Sequence, residues 1–290
     1  MNKKVYSKSW VFVLPVFATL AIYTLIMAIM LYFTAITSVK EYWDYKLNPI
    51  GFPEKWMFEN YANAFQAFSM KVGGEMVDLG DMFRNTLIYA IGCSLLKTIV
   101  PCVVAYLVAK YSVWFNKIVF STVIIAMTLP IVGALPSQIQ ILKGLGVYNT
   151  LLAPLMLESS YLGMYFLVFH GMFKGLSDEY IEAAQLDGAG QMQILLQIVF
   201  PLVKTTVSAV WLLNFIAYWN DYQSPMVFMF NYPTVAVGLF RYVHFPTQQA
   251  SATTEMQMAG CMLLILPIFL LFILFKNKLM GNLTVGGIKG

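Results

Sequence analysis

Ionisable and strongly polar side chains stand inside long apolar segments of this sequence, where they are candidates for chemistry. They are Lys97, Glu158, Asn214, Asn220 and Asp221. Exposing an ionisable group to lipid is costly, so such groups usually pair with one another or border a path for a polar solute. Lys97 and Glu158 carry the opposite charges that a pair requires, although the sequence alone does not show that they meet.

Aromatic residues surround two of these positions in the run YWNDY, which comprises Tyr218, Trp219, Asn220, Asp221 and Tyr222. Aromatic faces beside hydrogen-bonding groups suit a ring-shaped polar solute such as a sugar, so this run is a candidate for the wall of a solute path. Other interpretations stay open. Asn220 and Asp221 can instead bridge helices, and Trp and Tyr also collect at membrane interfaces.

Signatures of catalysis are missing from the sequence. It has no H-E-x-x-H, no G-x-S-x-G and no G-x-x-x-x-G-K-[S/T] motif. Its two histidines, His170 and His244, lie in separate segments, and His170 is more typical of a helix end than of a general base. We therefore expect no catalytic residue and no metal site. Without a phosphate-binding loop, the chain should not hydrolyse ATP by itself.

The composition indicates that membrane helices position these residues. Of 290 residues, 59% are apolar and 11% are charged, whereas soluble domains carry about 25% charged residues. A helix needs about 20 apolar residues to cross a bilayer. We predict an all-α integral membrane protein with six transmembrane helices at residues 10–33, 83–109, 118–135, 150–173, 202–230 and 256–275. The net charge of +4 reflects residues that flank spans, so no nucleic-acid binding is expected.

Lysines near the span ends set the predicted orientation, because they concentrate on the cytoplasmic side. With the start of the chain in the cytoplasm, that side receives Lys3, Lys4, Lys8, Lys110, Lys117, Lys174, Lys204, Lys276, Lys278 and Lys289. Both termini, residues 1–9 and 276–290, are then cytoplasmic, and the transmembrane domain at 10–275 lies in the cell membrane. Residues 34–82 form a short ordered outer segment, and residues 174–201 form a cytoplasmic loop.

The loop at 174–201, called the elbow below, has a clear local pattern. Ser177 is placed to cap a short helix at residues 178–187 whose acidic first turn suits the helix dipole. Gly188 suits the positive φ that ends such a helix. A second amphipathic helix then leads to Pro201. We therefore expect two helices joined by a turn.

The polar face of the first of these helices is acidic. Asp178, Glu182 and Gln185 share one side, and the small Ala183 and Ala184 allow a close approach. Helices that lie on membrane surfaces usually carry lysine or arginine, and anionic lipid repels acids. A basic protein partner therefore fits this face better than a connector resting on lipid headgroups, which is the plainer alternative.

The run EAAQLDGAGQMQILLQIVFP resembles the EAA loop of permease subunits in binding-protein-dependent ABC importers. The family pattern is EAA, three residues, Gly, nine residues and I-x-L-P, and this chain departs from it only at Phe200, where leucine is usual. The resemblance assigns ATPase coupling to Glu182, Ala183, Ala184, Asp187, Gly188, Ile198 and Pro201.

Further runs narrow the resemblance to carbohydrate permeases of the maltose second-permease type. The end GNLTVGGIKG is similar to their TxGxxKG tail, YWNDYQSP is similar to their WND region, and ENYANAF in the outer segment also fits. The resemblance covers essentially the whole chain and implies the type I ABC importer permease fold. It assigns an ATPase contact in the C-terminal tail to Thr284, Gly286, Lys289 and Gly290.

The resemblance also implies a set of partners. These are a homologous second permease subunit, two ATP-binding subunits that hold ATP and magnesium, an outer solute-binding protein and a carbohydrate substrate. This subunit would bind no cofactor of its own. Glu182 would pair with a basic residue in an ATPase cleft, while the partner permease could carry most substrate contacts. The alternatives are a six-span receptor or sensor and an ion-driven secondary transporter.

Overall fold

Apolar helices dominate the computed structural model, which describes residues 10–67, 69–129, 133–244 and 253–280. Within these residues, three helices are long and apolar enough to cross a membrane, at Val13–Ser38, Leu79–Lys110 and Gln191–Asn220. In chain order, the elements are α1 (Trp10–Ser38), α2 (Tyr42–Leu47), α3 (Glu59–Ala67), β1 (Met70–Val72), β2 (Glu75–Val77), α4 (Leu79–Lys110), α5 (Asn116–Thr128), α6 (Ala134–Gly144), α7 (Leu152–Glu158), α8 (Met164–Lys174), α9 (Glu179–Leu186), α10 (Gln191–Gln193), a π-helical turn (Ile194–Val199), α11 (Phe200–Asn220), α12 (Gln223–Phe228), α13 (Val235–His244) and α14 (Thr254–Met280).

The chain divides into two compact units. One comprises Met1–Phe68 with Arg241–Pro267, and the other comprises Ser69–Phe240 with Ile268–Gly290. In the first unit, the segment after α1 is held by hydrogen bonds rather than being a free linker. The buried Asn60 amide donates to the carbonyls of Ser38 at 3.0 Å and Lys40 at 2.8 Å. Ser38 Oγ and Tyr61 OH also lie 2.8 Å apart.

A β-hairpin corrects the expectation of an all-α protein. Strands β1 and β2 pair antiparallel, with Met70 opposite Val77. The two residues between the strands, Gly73 and Gly74, both have positive φ, +60° and +99°. A two-residue turn with positive φ at both positions matches the twist of paired strands, and glycine adopts it without steric cost. A run of three residues per strand is too short to predict from periodicity.

Helix α4 is the centre of the second unit and packs against α8 and α11. It begins after Asp78, whose side chain accepts a hydrogen bond from the Asp81 N–H at 2.8 Å and thereby caps the helix. Its inward face joins a core built from α4, α5, α8 and the helices that follow, with buried residues Cys102, Ala105, Tyr106, Val123, Phe166, Phe169, Phe173, Ala184, Ile194, Val199, Val203, Val207 and Val210.

Three predicted spans are not continuous helices. In the span predicted at 118–135, helix α5 ends at Thr128, because Leu129 precedes a proline and takes an extended ψ of 122°. The span at 150–173 is interrupted at residues 159–163, between α7 and α8. The span at 202–230 ends at Asn220, and a separate short helix follows. Hydropathy alone does not reveal such breaks, because the residues on both sides remain apolar.

The second helix of the elbow does not end at Pro201 as predicted. Residues Gln191–Asn220 form one helical segment, so Pro201 does not separate two helices. A proline inside a helix lacks a donor, and its ring crowds the carbonyl of the residue four positions earlier, here Gln197. The backbone widens into a π-helical turn at Ile194–Val199, which ends two positions before the proline. This local widening lets the helix pass through Pro201 instead of ending.

Candidate functional site: the elbow and the polar cluster

The first arm of the elbow is helix α9, one residue shorter at each end than predicted. Ser177 Oγ accepts a hydrogen bond from the Glu179 N–H at 3.3 Å, but the residue at the N-cap position is Asp178, whose side chain makes no capping bond. Ala184 is buried in the core, and Ile181 is half-buried beside it. Tyr180 is exposed. Because its anchoring residues are small or apolar, the helix is held by packing on one side and leaves the other side free.

Gly188 ends α9 in the left-handed conformation, with φ of +80°. The Ala189 N–H donates to the Ala184 carbonyl at 2.9 Å, and the Gly188 N–H donates to the Gln185 carbonyl at 3.0 Å. This pair of bonds is the Schellman motif, in which glycine avoids the strain that a side chain would bring. No atom lies within 4 Å of where a Cβ at Gly188 would stand, so glycine is required there by the backbone rather than by crowding.

The outward face of α9 carries the residues assigned to coupling. Glu182, Ala183 and Asp187 are all exposed. Within the part of the chain that the structure describes, no hydrogen bond or ion pair engages the Glu182 carboxylate. An exposed carboxylate beside a small alanine can accept a basic side chain from another protein without first breaking an internal bond.

A shallow cavity separates α9 from the second arm of the elbow, which is the start of the helical segment Gln191–Asn220. Its volume is about 250 Å³, and its lining residues are Ala184, Asp187, Gly188, Ala189, Gln193, Gln197 and Ile198. Most of these residues are those that the family resemblance assigns to coupling or their direct neighbours. The second-arm side chains Gln193 and Gln197 hydrogen-bond one another at 3.3 Å, so they present a polar wall.

Two residues at the end of α4 hold both arms of the elbow. Lys110 Nζ lies 2.6 Å from the Asp178 carboxylate and donates to the Leu176 carbonyl at 2.6 Å. Its side chain is 4% exposed, so the ammonium group is largely removed from water. The Tyr111 hydroxyl donates to the side chain of Gln191, which begins the second arm. We call Lys110 and Tyr111 the clamp.

Sequence reasoning missed the clamp. The sequence presents Lys110 only as a marker of membrane orientation, and no motif distinguishes Tyr111. Asp178 and Lys110 are separated by 68 residues, so no local spacing rule connects them. The sequence does place Asp178 and Lys110 on the same side of the membrane. Only the fold shows that they form a pair.

A polar cluster lies between α4, α7 and α11, comprising Tyr89, Cys93, Lys97, Glu158, Tyr218 and Asp221. Lys97 Nζ is 2.9 Å from Glu158 Oε2, which confirms that the two charges meet. Their helices approach closely at Gly92, where a Cβ would stand 2.5 Å from Leu155 Cδ2. A larger residue at Gly92 would therefore require the Leu155 side chain to move.

Asp221 connects helices within this cluster. Its carboxylate accepts a hydrogen bond from the Tyr89 hydroxyl of α4 at 2.7 Å. Its other oxygen accepts from the backbone N–H groups of Gln223 at 2.9 Å and Ser224 at 3.2 Å. Asp221 thus ends α11, caps α12 and joins both to α4. These contacts match the structural interpretation that the sequence left open for this residue.

The other residues of the YWNDY run do not form one surface. Trp219 is buried against Phe83 and Phe215, and Tyr222 stacks on Phe240 with ring centroids 4.4 Å apart. Asn220 is exposed and its side chain donates to the Ile216 carbonyl at 2.8 Å. Tyr218 is half-buried and packs edge-on against Tyr89. A role in solute passage stays a prediction for this run.

Asn214 adds a further buried polar contact on α11, donating from its side chain to Thr98 Oγ1 of α4 at 3.2 Å. Two other predictions lie outside the described residues: the cytoplasmic start at 1–9, and the tail contact at Thr284, Gly286, Lys289 and Gly290.

Similar proteins are membrane transport components. Residues 101–283 match the family described as "Binding-protein-dependent transport system inner membrane component". The melibiose/raffinose/stachyose import permease protein MelC of Bacillus subtilis is 26% identical over 261 residues, covering 89% of this chain and 90% of MelC. The maltodextrin transport system permease protein MdxG of the same organism is 30% identical over 215 residues, covering 72% of this chain and 75% of MdxG.

The fold is shared with a solved structure, a bacterial ABC transporter involved in the import of the acidic polysaccharide alginate. The TM-score is 0.75 with 18% sequence identity, and the match covers 96% of this chain and 99% of that chain. Together with the apolar helices, these matches define the class: the chain is a multi-pass transport component of the cell membrane. It belongs to the family of binding-protein-dependent transport system inner membrane components, since that family's model covers more than half of it.

Proposed function

We propose that this chain is one permease subunit of an ATP-driven carbohydrate importer, and that it contacts the ATPase through the elbow. The observation that carries the proposal is the elbow itself: an acidic, exposed helix, closed by a glycine Schellman motif, beside a cavity of about 250 Å³. Family membership and relatives named for melibiose, raffinose, stachyose and maltodextrin support the carbohydrate class.

In this proposal, ATP hydrolysis takes place on partner subunits. Two ATP-binding proteins hold ATP and magnesium, and the chain supplies no cofactor site. A basic ATPase side chain pairs with Glu182, and a neighbouring ATPase side chain enters the cavity between the arms. Thr284, Gly286, Lys289 and Gly290 add a second contact from the C-terminal tail. Ile198 and Pro201 act indirectly, by setting the direction of the second arm.

The remaining partners and the topology complete the proposal. The chain crosses the membrane six times with both termini in the cytoplasm and pairs with a homologous second permease subunit. The solute path runs between these two subunits. A solute-binding protein delivers the carbohydrate to the outer face, where residues 34–82 lie.

Reversing the charge of Glu182 tests the coupling contact. In Glu182→Lys, two like charges would face each other at the ATPase cleft, so we expect affinity for the ATPase to fall at least tenfold, or about 1.4 kcal/mol. Sugar-dependent ATP hydrolysis by the reconstituted complex should fall in parallel. Copurification of the ATPase with tagged permease and the hydrolysis rate are the measurements.

Glu179→Lys is the matched control, because Glu179 is an exposed acid on the same helix and outside the EAA motif. It changes the net charge by the same amount and should retain most of the affinity. If both variants lose the ATPase equally, the effect is general electrostatics and the specific Glu182 contact is wrong. If neither variant changes affinity or coupled hydrolysis, the elbow is not the coupling surface.

A further inference from the structure

Lys97 and Glu158 form an ion pair on helices whose surroundings are mostly apolar. The pair is not sealed in the core, since the two side chains are 29% and 25% exposed. An exposed charge in a membrane span is not left facing lipid, because hydrocarbon offers it no hydrogen bonds. The open flank of this pair must therefore face water or another polar surface.

The backbone beside the pair supports a watery or protein-lined surface. Glu158 is the last residue of α7, and residues 159–163 leave the helix before α8 begins. Irregular backbone within a membrane is tolerated only where protein buries it or where it borders a water-filled cavity. Ser159 in this break is exposed. The charged pair and the break therefore lie together on one polar surface.

The pair keeps unused hydrogen-bonding capacity. Lys97 has three ammonium donors, and its contact with Glu158 Oε2 uses only one of them; the Glu158 carboxylate likewise has more lone pairs than its contacts with Lys97 and the Tyr218 hydroxyl use. The phenol of Tyr218 lies beside the Glu158 carboxylate. Hydroxyl groups both donate and accept, so a polyhydroxylated solute matches this mixture of donors, acceptors and one aromatic ring.

The charges in the cluster disfavour an anionic solute. Lys97 is compensated by Glu158, and the second carboxylate, Asp221, has hydroxyl and N–H partners but no cation within the described residues. A solute carboxylate that approached the remaining donors of Lys97 would lie beside the Glu158 carboxylate, and two like charges at such short range repel each other. The cluster therefore has an excess of negative charge.

We propose that Lys97, Glu158 and Tyr218 line the solute path and admit uncharged, polyhydroxylated solutes in preference to anionic ones. The proposal rests on the carbohydrate-importer function and adds to it the place of the path on α4, α7 and α11 and the charge class of the cargo. Glu158 is the residue that sets this preference, because it cancels the only lysine of the cluster.

Substituted-cysteine labelling of the assembled transporter in proteoliposomes tests this. Ser159→Cys places a thiol next to Glu158. The native Cys93 and Cys102 are buried and Cys261 is half-buried, so Ser159→Cys is made in a Cys261→Ser chain, and that chain without Ser159→Cys supplies the background rate. Two methanethiosulfonate reagents of similar size, one with a trimethylammonium group and one with a sulfonate, report accessibility and local charge. We expect both to react and the cationic reagent to react at least tenfold faster, after correction for their rates with a free thiol.

In Ser159→Cys that also carries Glu158→Gln, the preference for the cationic reagent should fall at least tenfold, because Lys97 is then uncompensated. In Ser159→Cys alone, saturating maltotriose should slow labelling. Asp81→Asn is the matched control. Asp81 pairs with Arg84 at 3.3 Å and lies on α4, about 24 Å from Lys97 along the helix axis. It should leave the preference unchanged. An unreactive Ser159→Cys, or a preference that Glu158→Gln does not alter, overturns the proposal.

Different results would contradict the path assignment and the importer function. A complex that hydrolyses ATP and accumulates maltotriose or another neutral oligosaccharide, but shows no charge preference at Ser159→Cys, retains the importer function and overturns the path assignment. A complex that accumulates no sugar of any charge with its cognate binding protein contradicts the importer function, whatever the labelling rates.

Discussion

Asp221 lies in the middle of an aromatic run that suggested solute contact, yet its carboxylate is engaged by three donors. Tyr89, Gln223 and Ser224 supply them from α4 and α12. A carboxylate with this many partners loses much of its value as a solute ligand, because each bond would have to be exchanged. At the scale of single residues, Lys97 and Glu158 are therefore better placed for solute contact than Asp221.

Removing the Asp221 side chain should destabilise the protein. Asp221→Ala leaves the buried Tyr89 hydroxyl and two N–H groups without their acceptor, at a cost of about 2–3 kcal/mol. We expect the thermal midpoint of the detergent-purified protein to fall by several degrees. Asn220→Ala, at the exposed neighbouring position, should change stability by no more than about 0.5 kcal/mol. Lost sugar uptake in Asp221→Ala with an unchanged midpoint would contradict this structural role.

At the scale of elements, the clamp joins the elbow to α4. Lys110 bonds the segment before α9, and Tyr111 bonds the first residue of α10. Force applied to α9 by a partner would therefore reach α4 directly as well as through the second arm. Within α4, Pro101 lies between the clamp and Lys97. A proline removes a helix hydrogen bond, so it provides a position at which the helix can bend.

Breaking the clamp should loosen the elbow without unfolding the bundle. Lys110→Met keeps the length of the buried side chain but removes its bonds to Asp178 and Leu176. Since Asp178 is 70% exposed, the loss should be modest, about 1–2 kcal/mol. We expect amide hydrogen exchange at residues 176–190 to accelerate about tenfold.

Lys117→Met removes a lysine that is exposed, close in sequence and not part of the clamp, so it should leave exchange in the elbow unchanged. Lys110→Arg should restore most of the protection, because arginine retains a charged donor. Equal exchange in Lys110→Met and the unmodified chain would show that packing of Ala184 alone holds the elbow.

At the scale of the whole molecule, one helix carries both proposed sites. Lys97 and Lys110 are separated by about 20 Å along α4, with the polar cluster at one position and the elbow clamp at the other. In the proposed importer, the elbow is cytoplasmic and the hairpin of β1 and β2 is outside. In this proposal, the elbow clamp and the solute contact lie on the same helix, α4, with Pro101 between them.

Reporter fusions test that orientation. Alkaline phosphatase is active only outside the cytoplasm, so truncation fusions after residues 74 and 244 should be active, and fusions after residues 175 and 290 should be inactive. Green fluorescent protein at the same points should give the opposite pattern. The hairpin turn at Gly73 and Gly74 is a suitable junction, because no atom lies within 3.5 Å of a Cβ built there. Activity at residue 175 would place the elbow on the wrong side for ATPase contact.

Local chemistry made much of the elbow predictable from sequence. The hydrogen bond from the Glu179 N–H to Ser177 and the left-handed turn at Gly188 depend only on neighbouring residues, and both follow from the sequence. Apolar length likewise identified α1 and α4, whose bounds differ from the predicted spans by a few residues. These features follow from hydrogen-bond demand and hydrophobicity over short stretches, which sequence records directly.

Contacts between distant segments depended on the tertiary structure. The pairing of Lys110 with Asp178 and the bond between Tyr89 and Asp221 join helices that are far apart in sequence. Sequence identified Lys97 and Glu158 as costly charges inside spans, but only the packing of α4 against α7 shows that they meet. Residue type determines which hydrogen bonds and ion pairs a side chain can form, and helix packing determines the partner with which it forms them.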